Sequence, residues 1–263
     1  MNLYSIFGDP ISHSRSPLMH NTVFKTLGFR GCYTRTQLSD GNRLRELFFA
    51  KGLSGANVTV PHKEIAYALC DEVRGIAKKI QAVNTLVLEN GRLIGYNTDA
   101  DGFMSAIQSF GTIKNALILG AGGTARALSI ALRDGGITAT ILNRSSGRLA
   151  YFIHEAFPTY TWDNFTVDSY DLIINTTSAG LSDNELPIPQ LLLNDLLTHT
   201  KGVIDVIYGK ETPFLREVKR TALPYKDGSD MLLEQGILAS ALFLGGTYTI
   251  DAIKVPMKYS FLL

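Results

Sequence analysis

The segment from residue 115 to residue 148 constrains the fold more than any other part of the chain. It reads NALILGAGGTARALSIALRDGGITATILNRSSGR: an apolar run, a glycine-rich turn, apolar residues at helical spacing, and a second apolar run. Strand, turn, helix and strand in this order form the first half of a dinucleotide-binding unit. The segment therefore predicts a parallel, doubly wound sheet of the Rossmann type.

Three small residues in the turn follow the spacing G-x-G-x-x-A. Gly120 permits a tight turn, Gly122 lets the backbone approach a pyrophosphate, and Ala125 lets the helix pack closely on the strand. The helix N-terminus adds free N–H groups and a partial positive charge. We assign dinucleotide binding to this turn, in preference to an ordinary tight turn in an α/β core. The assigned residues are Gly120, Ala121, Gly122, Gly123 and Thr124.

The end of the second strand indicates which dinucleotide would bind. An NAD site usually has Asp or Glu there, about 20 residues after the glycine turn, to accept from the ribose 2′-hydroxyl. This chain instead has the sequence NRSSGR. Guanidinium groups bind phosphate oxygens in pairs, so two arginines and a hydroxyl suit a 2′-phosphate. The pattern favours NADP over the alternative of solvated loop charges, with contacts from Asn143, Arg144, Ser145 and Arg148.

Composition excludes several classes of protein. With 263 residues, 45% of them hydrophobic, the chain can bury a sizeable core in one large or two smaller domains. A net charge of +1 gives no indication of a nucleic-acid or membrane surface. Cys32 and Cys70 are too few for a disulfide framework and lack metal-ligand spacing, so we expect no metal and a reducing compartment. Without a signal peptide or a membrane-length apolar run, the chain is expected to be cytoplasmic.

Outside this segment, strands and helices alternate along the chain. Strands are predicted at 3–7, 33–37, 57–60, 82–88, 93–96, 171–175, 202–207 and 224–226. Helices are predicted at 18–27, 42–51, 64–71, 75–80, 102–110, 148–157, 214–221, 231–244 and near 251–259, the last interrupted by Pro256. Alternation of this kind is typical of α/β domains.

Several polar residues have two interpretations on sequence alone. Ser14 and Ser16 precede Pro17 at a helix start, where they form either a loop and cap or a site for a carboxylate. Lys63 stands just after the strand at 57–60, a position that usually carries a solvated charge. Asp99 lies at a strand-to-helix junction, where it would serve as a helix N-cap.

Nine short motifs occur in order over nearly the whole chain. They are GDPISHSRSPLMHN, NVTVPHK, AVNTL, GxNTDxxG, GAGGTARA, NRS, NTTSAG, DVIY and GxxMLxxQ. This ordered set resembles the shikimate dehydrogenase family. The resemblance implies a reversible, NADPH-dependent reduction of 3-dehydroshikimate to shikimate, in the pathway to chorismate and the aromatic amino acids.

The resemblance also implies an architecture of two α/β domains with the active site in the cleft between them. A substrate-binding and catalytic domain would span residues 1–100, and the Rossmann-type NADP-binding domain residues 101–235. The C-terminal helices, 236–263, would return to the first domain. The expected partners are the small-molecule substrate and the cofactor, with no nucleic acid or membrane, and the chain would be a monomer or a homodimer.

Residue roles follow from the same resemblance. Lys63 would be the acid/base that exchanges a proton with the substrate oxygen, and Asp99 would orient it and favour its charged form. Residues that match the substrate-binding positions are Ser14, Ser16 and Tyr208 for the carboxylate, and Asn57, Thr59, Asn84, Asp99 and Gln235 for the ring hydroxyls. Gly228 joins the residues expected to contact the cofactor. His62 departs from the apolar aromatic that is more usual there, and we expect it to point away from Lys63.

Two other functions remain open. One is a quinate/shikimate dehydrogenase with a broader substrate range and use of NAD, which Asn143-Arg144 argues against. The other is a non-catalytic nucleotide-binding sensor on the same fold, which could have lost Lys63 or Asp99, whereas this chain has both.

Overall fold

A computed structural model describes residues 1–263 and divides them into two compact units. The first unit comprises residues 1–102 and 233–263, and the second comprises residues 103–232. Both combine helices with a six-stranded sheet, so the predicted α/β class is confirmed. None of the helices combines the length and the apolar character that a membrane span requires.

The first unit is built on a mixed sheet with the strand order β2-β1-β3-β5-β6-β4. Its strands are β1 Asn2–Gly8, β2 Gly31–Gln37, β3 Leu53–Val58, β4 Glu72–Val73, β5 Thr85–Glu89 and β6 Arg92–Tyr96. Strands β2 and β3 run parallel to β1, and β5 is antiparallel to both β3 and β6. The β5–β6 hairpin turns at Asn90 and Gly91, both with positive φ, as the Asn-Gly pair predicts.

Helices cover this sheet, and a largely aliphatic and aromatic core lies beneath them. The core includes the fully buried Phe7, Phe48, Leu86 and Leu93. The helices that belong wholly to this unit are α1 Ser16–Thr26, α2 Leu44–Ala50, α3 Lys63–Leu69, α4 Ala77–Ile80 and α11 Ile250–Tyr259. Two further helices, α5 Asp99–Ile107 and α10 Ser229–Phe243, contain the points where the chain passes from one unit to the other.

The second unit contains an all-parallel sheet with the order β12-β11-β10-β7-β8-β9. Its strands are β7 Asn115–Leu119, β8 Thr138–Asn143, β9 Thr159–Thr161, β10 Leu172–Asn175, β11 Val203–Asp205 and β12 Tyr225–Lys226. Its helices are α6 Gly123–Asp134, α7 Ala150–His154, α8 Gln190–Thr198 and α9 Pro213–Lys219. Counted from β7, this is the order 3-2-1-4-5-6 of the dinucleotide-binding fold, so the Rossmann prediction is confirmed.

Two predicted helix starts are wrong, for the same physical reason. Ser16 is not the cap of α1, because the helix begins at Ser16 itself and Arg15 occupies the N-cap position. Helix α5 begins at Asp99 rather than at Gly102, so Asp99 does not precede the helix as a cap. In each case a side chain two residues upstream accepts a hydrogen bond from the backbone N–H of the first helical residue: Ser14 Oγ from Ser16, and Asn97 Oδ1 from Asp99. That bond lets the helix begin earlier than the apolar pattern predicts.

Other differences concern short elements. Strand β3 spans Leu53–Val58 rather than 57–60, because its pairing with β1 begins at Leu53 and a turn begins at Thr59, whose carbonyl accepts from the N–H of His62. Helix α11 continues through Pro256, whose ring is buried, instead of breaking there. The sequence pattern misses β4, β9 and α8. Strands of two or three residues are too short to show an alternating pattern.

Gly228 is required by close packing within the second unit. A Cβ added there would stand 2.0 Å from the carbonyl oxygen of Val206, a backbone atom that cannot move aside alone. At Gly147, in the same unit, a Cβ would meet no atom within 4 Å.

We therefore expect Gly228→Ala to destabilise the cofactor-free protein by about 1–3 kcal/mol, as overpacking of a tight site does. Gly147→Ala is the matched control and should leave the free energy of unfolding unchanged or slightly higher. Urea denaturation of both variants measures the difference. Equal unfolding midpoints would show that the Val206 carbonyl does not restrict position 228.

Candidate functional site

Lys63 and Asp99 form a buried ion pair in the first unit. The Nζ atom of Lys63 lies 2.6 Å from Oδ2 of Asp99, and the two side chains are only 10% and 7% exposed. Each is the first residue of its helix, Lys63 of α3 and Asp99 of α5. The structure thus brings together the two residues that the sequence predicts as a catalytic pair.

The two helix termini affect the pair in opposite ways. A helix N-terminus carries a partial positive charge, which stabilises the carboxylate of Asp99 and disfavours the ammonium group of Lys63. Removing two charges from water costs further free energy. The position of this ammonium group, at a helix N-terminus and away from water, is therefore unfavourable for stability.

Asn84 holds the carboxylate on its other side. Its Nδ2 donates to Oδ1 of Asp99 at 2.8 Å and to Oγ1 of Thr98 at 3.0 Å. Its Oδ1 accepts from the backbone N–H of Thr98 at 2.9 Å. With Oδ2 on Lys63 and Oδ1 on Asn84, the carboxylate of Asp99 is fixed in orientation before any ligand arrives.

Two more of the predicted substrate residues contact this group. Asn57 donates to the backbone carbonyl of Asn84 at 3.2 Å and to Oγ1 of Thr85 at 3.1 Å. Gln235, on α10, accepts from Oγ1 of Thr98 at 3.4 Å. A Cβ at Gly102 would lie 2.8 Å from the backbone nitrogen of Gln235, so only glycine lets α10 approach α5 this closely.

Ser14 and Ser16 form a second buried group in the same unit. The hydroxyl of Ser14 donates to that of Ser16 at 3.2 Å. Arg35, on β2, donates to the carbonyl of Ser14 through Nε at 2.9 Å and through Nη2 as well. Burial and the charge of Arg35 lower the pKa of His13 in the same loop. Sequence reasoning misses Arg35 because nothing local distinguishes it from any exposed strand arginine.

Thr59 and His62 shape the turn that leads to Lys63. The backbone N–H of Thr59 donates to Phe7 at 2.9 Å, and its carbonyl accepts from the N–H of His62 at 3.0 Å. The buried ring of His62 donates through Nε2 to the carbonyl of Leu38, and a Cβ at Gly41 would clash with it. His62 is thus engaged with Leu38 and Gly41 rather than with the ion pair.

The glycine turn of the second unit has the geometry that a dinucleotide needs. Gly120 has φ +103°, and a Cβ there would lie 2.8 Å from Oγ1 of Thr176. A Cβ at Gly122 would meet no atom within 4 Å, so space is open beside the first turn of α6. Ala125 is fully buried. Together with Ala121, Gly123 and Thr124, these residues leave room for phosphate groups at the N-terminus of a twelve-residue helix.

The loop after β8 has no acidic side chain and two unpaired cations. Arg144, Ser145 and Arg148 are exposed, and neither guanidinium has an ion-pair partner in the chain. Asn143 donates through Nδ2 to the carbonyl of Ser145 at 2.8 Å and so holds the loop. This set of donors fits a 2′-phosphate and offers no acceptor for a ribose 2′-hydroxyl like that of an NAD site.

Asp205, at the carboxyl end of β11, is a buried acid that sequence reasoning misses. It accepts from Oγ1 of Thr212 at 2.6 Å, from Nδ2 of Asn175 at 3.0 Å and from the N–H of Ile207 at 3.1 Å. These bonds anchor the segment that carries the half-buried Tyr208. Burial raises the pKa of Asp205 to about 6. Its only sequence signal is its place at the end of an apolar strand.

The Rossmann unit and the buried lysine–carboxylate pair define the class of this protein: an α/β oxidoreductase that uses a dinucleotide. Residues 6–86 match the model of the shikimate dehydrogenase substrate binding domain. The chain is 45% identical to the NADP-dependent shikimate dehydrogenase of Helicobacter hepaticus, over 100% of this chain and 98% of that protein. The chain belongs to the shikimate dehydrogenase family.

Solved structures agree with this assignment. The shikimate dehydrogenase of Thermus thermophilus, solved in complex with NADP(H) and shikimate, is 33% identical, with a TM-score of 0.82 over 99% of this chain and 100% of that one. Shikimate dehydrogenase 1 of Peptoclostridium difficile is 28% identical, with a TM-score of 0.86 over 100% and 98%. The Listeria monocytogenes enzyme, solved with shikimate and NAD, is 27% identical, with a TM-score of 0.75 over 97% and 95%.

The buried Asp205 predicts a specific pH dependence of stability. Its pKa rises from 3.8 to about 6 on folding, so the folded state holds this proton more tightly than the unfolded state. The resulting stabilisation is fully present below pH 4 and is lost as the pH rises through 6, with a magnitude of about 3 kcal/mol. The difference in unfolding free energy between wild type and Asp205→Asn should fall over this range and stay constant above pH 7. If the unfolding free energies of the two proteins changed in parallel between pH 4 and pH 7, the raised pKa of Asp205 would be contradicted.

Proposed function

We propose that this chain catalyses the reversible, NADPH-dependent reduction of 3-dehydroshikimate to shikimate, in the pathway to chorismate and the aromatic amino acids. The observation that supports this most is the preorganised Lys63–Asp99 pair, in a chain 45% identical to an NADP-dependent shikimate dehydrogenase. A sensor that only binds nucleotide would have no use for a buried ammonium group held at 2.6 Å from a carboxylate.

The chemistry assigns separate tasks to the two residues. NADPH supplies the hydride that reduces the ketone. Negative charge then develops on the ketone oxygen, and Lys63 donates a proton to it as general acid. In the oxidation of shikimate, a neutral Lys63 accepts the proton from the hydroxyl group. Asp99 holds the Nζ atom in place and balances its charge.

The substrate contacts are also part of the proposal. Ser14, Ser16 and Tyr208 would bind the carboxylate, with the charge of Arg35 close to Ser14. Thr59, Asp99 and Gln235 would bind ring hydroxyls. Asn57 and Asn84 already donate both amide hydrogens to protein groups, so a direct contact through either amide nitrogen requires one of these bonds to be exchanged.

The cofactor in this proposal is NADP rather than NAD. Its phosphates would lie against the turn from Gly120 to Thr124, and its 2′-phosphate against Asn143, Arg144, Ser145 and Arg148, with Gly228 as a further contact. The two cysteines are free thiols, which suits the reducing cytoplasm that we propose as the compartment.

Replacement of Lys63 tests the mechanism. Lys63→Ala should lower kcat by about 10²–10⁴-fold, the usual worth of a general acid, with a smaller effect on KM for shikimate. Asp99→Asn should also act chiefly on kcat, and the double variant should be little worse than Lys63→Ala alone. In the wild type, the rate of reduction should fall and the rate of oxidation should rise as the pH increases. Absorbance of NADPH with 3-dehydroshikimate as substrate measures each rate.

Lys51→Ala, which removes an exposed cation from the same unit, is the control and should retain wild-type kinetics. Near-normal kcat in Lys63→Ala would overturn the mechanism. Additive losses in the double variant would mean that the two residues act separately. Comparable rates with 3-dehydroquinate would favour the broader quinate/shikimate dehydrogenase.

Replacement of the two loop arginines tests the choice of cofactor. Arg144→Ala with Arg148→Ala should raise KM for NADP at least tenfold and change the use of NAD little. Each charged hydrogen bond lost is worth about 1.5–3 kcal/mol before solvent screening reduces it. Lys114→Ala removes an exposed cation at the opposite end of β7 and should have no effect. A double variant that keeps its preference for NADP would show that the 2′-phosphate is bound elsewhere.

A further inference from the structure

We propose that Tyr33, Asn57, Thr85 and Asn84 form a chain of hydrogen-bond donors that all point toward Asp99 and hold its carboxylate in position for Lys63. Tyr33 and Thr85 are, in this view, positioning residues that act through Asp99. The kinetic test of this inference rests on the proposed function, whereas the chain of hydrogen bonds is itself a feature of the structure.

The chain consists of four consecutive hydrogen bonds. The hydroxyl of Tyr33 donates to Oδ1 of Asn57 at 2.6 Å, and Nδ2 of Asn57 donates to Oγ1 of Thr85 at 3.1 Å. The hydroxyl of Thr85 donates to Oδ1 of Asn84 at 2.9 Å. Finally, Nδ2 of Asn84 donates to Oδ1 of Asp99 at 2.8 Å. The polar path thus leads from β2 across β3 and β5 to the start of α5.

Two backbone groups fix the direction of the chain. The N–H of Thr98 can only donate, and it faces Oδ1 of Asn84, so Nδ2 of Asn84 must face Asp99. Oδ1 of Asn84 can only accept, so the proton of the Thr85 hydroxyl points toward it.

The second backbone group, the carbonyl of Asn84, fixes the direction at the Tyr33 end of the hydrogen-bond chain. The carbonyl of Asn84 can only accept, and it faces Nδ2 of Asn57, so Oδ1 of Asn57 faces Tyr33. That oxygen accepts, so the phenol of Tyr33 is the donor. Reversal of the Asn84 amide would set its nitrogen against the N–H of Thr98, and reversal of the Asn57 amide would set its oxygen against the carbonyl of Asn84.

Burial strengthens this chain of hydrogen bonds. Thr85 is 0% exposed, Asn84 and Tyr33 are 2% exposed, and Asn57 is 5% exposed. In such surroundings, aligned hydrogen bonds polarise one another, and each is stronger than it would be in water. A run of donors that ends on Oδ1 of Asp99 therefore fixes the orientation of that carboxylate.

The far end of the chain is anchored in the aromatic core. The ring of Tyr33 stacks on His20, with centroids 4.4 Å apart and planes 13° from parallel. His20 is held in turn by Ser240 on α10, with Nδ1 and Oγ 2.8 Å apart. Burial lowers the pKa of His20 to about 3, so this imidazole is neutral and adds no competing charge. Lys63 is then the one charged group that contacts Asp99 directly.

Thr85→Val is the main test, because valine keeps the shape of threonine but can neither donate to Asn84 nor accept from Asn57. We expect kcat for reduction to fall about tenfold, as for a lost buried hydrogen bond, with KM for 3-dehydroshikimate within about twofold of wild type. Loss of kcat without a matching change in KM is the expected sign of a displaced carboxylate rather than of weaker substrate binding. Thr85→Ser, which restores the hydroxyl, should restore kcat.

A second variant and a matched control complete the experiment. Tyr33→Phe removes the first donor and should lower kcat by a smaller factor with little change in KM, and this arm stands even if Thr85→Val does not fold. Tyr4→Phe removes another buried hydroxyl of the same unit, which donates to the carbonyl of Phe243 at 3.0 Å and is not part of the chain. It should leave kcat and KM unchanged.

The outcomes separate this inference from the proposed function. A wild-type protein without activity on 3-dehydroshikimate would overturn the function. An active wild type whose Thr85→Val or Tyr33→Phe variant matches Tyr4→Phe in kcat would overturn the hydrogen-bond chain, as would failure of Thr85→Ser to restore kcat.

Discussion

The buried ion pair of Lys63 and Asp99 is the interaction on which the rest of the first unit depends. Two charges removed from water are tolerated only where further hydrogen bonds satisfy them, and loss of one partner leaves the other uncompensated. The structure meets this condition through the N-terminus of α5, the amide of Asn84 and the early helix start that Asn97 permits. The positions of β5, β6 and α5 therefore bear directly on the geometry of a single carboxylate. Lys63 receives no comparable help from α3, because a helix N-terminus disfavours an ammonium group, and this suits the proton-transfer role that we propose for it.

The charged groups of the second unit are arranged in the opposite way, with cations left exposed. Its glycine turn leaves open space beside Gly122, and its loop after β8 presents Arg144 and Arg148 without ion-pair partners. Such groups are suited to a ligand that brings its own negative charge. Its one buried carboxylate, Asp205, instead accepts hydrogen bonds from three donors of the protein, so its role is structural rather than ligand binding. The first unit is thus organised around the buried charges of Lys63 and Asp99, and the second leaves exposed cations for a ligand that carries negative charge.

These features differ in how far the sequence alone predicts them. The Rossmann unit is predictable because its signals are local: apolar runs, a glycine turn and a helix lie within 34 residues at 115–148. The Lys63–Asp99 pair spans 36 positions, and only the family resemblance brings the two residues together before the structure does. Arg35, Thr85 and Asp205 are missed because their roles come from contacts with distant strands. The wrong starts of α1 and α5 have a similar origin, since a side chain two residues upstream outweighs the apolar pattern.

Neutral donors are the appropriate groups to hold Asp99. A second cation beside the carboxylate would repel the ammonium group of Lys63 and would compete with it for the same charge. Amide and hydroxyl dipoles stabilise the anion without adding net charge, and they leave Oδ2 for Lys63 alone. Because the backbone N–H of Thr98 and the carbonyl of Asn84 fix the direction of these dipoles, their alignment does not have to form during the reaction. Preorganised dipoles of this kind cost no reorganisation when the proton moves, which is the condition under which electrostatic stabilisation contributes most to catalysis.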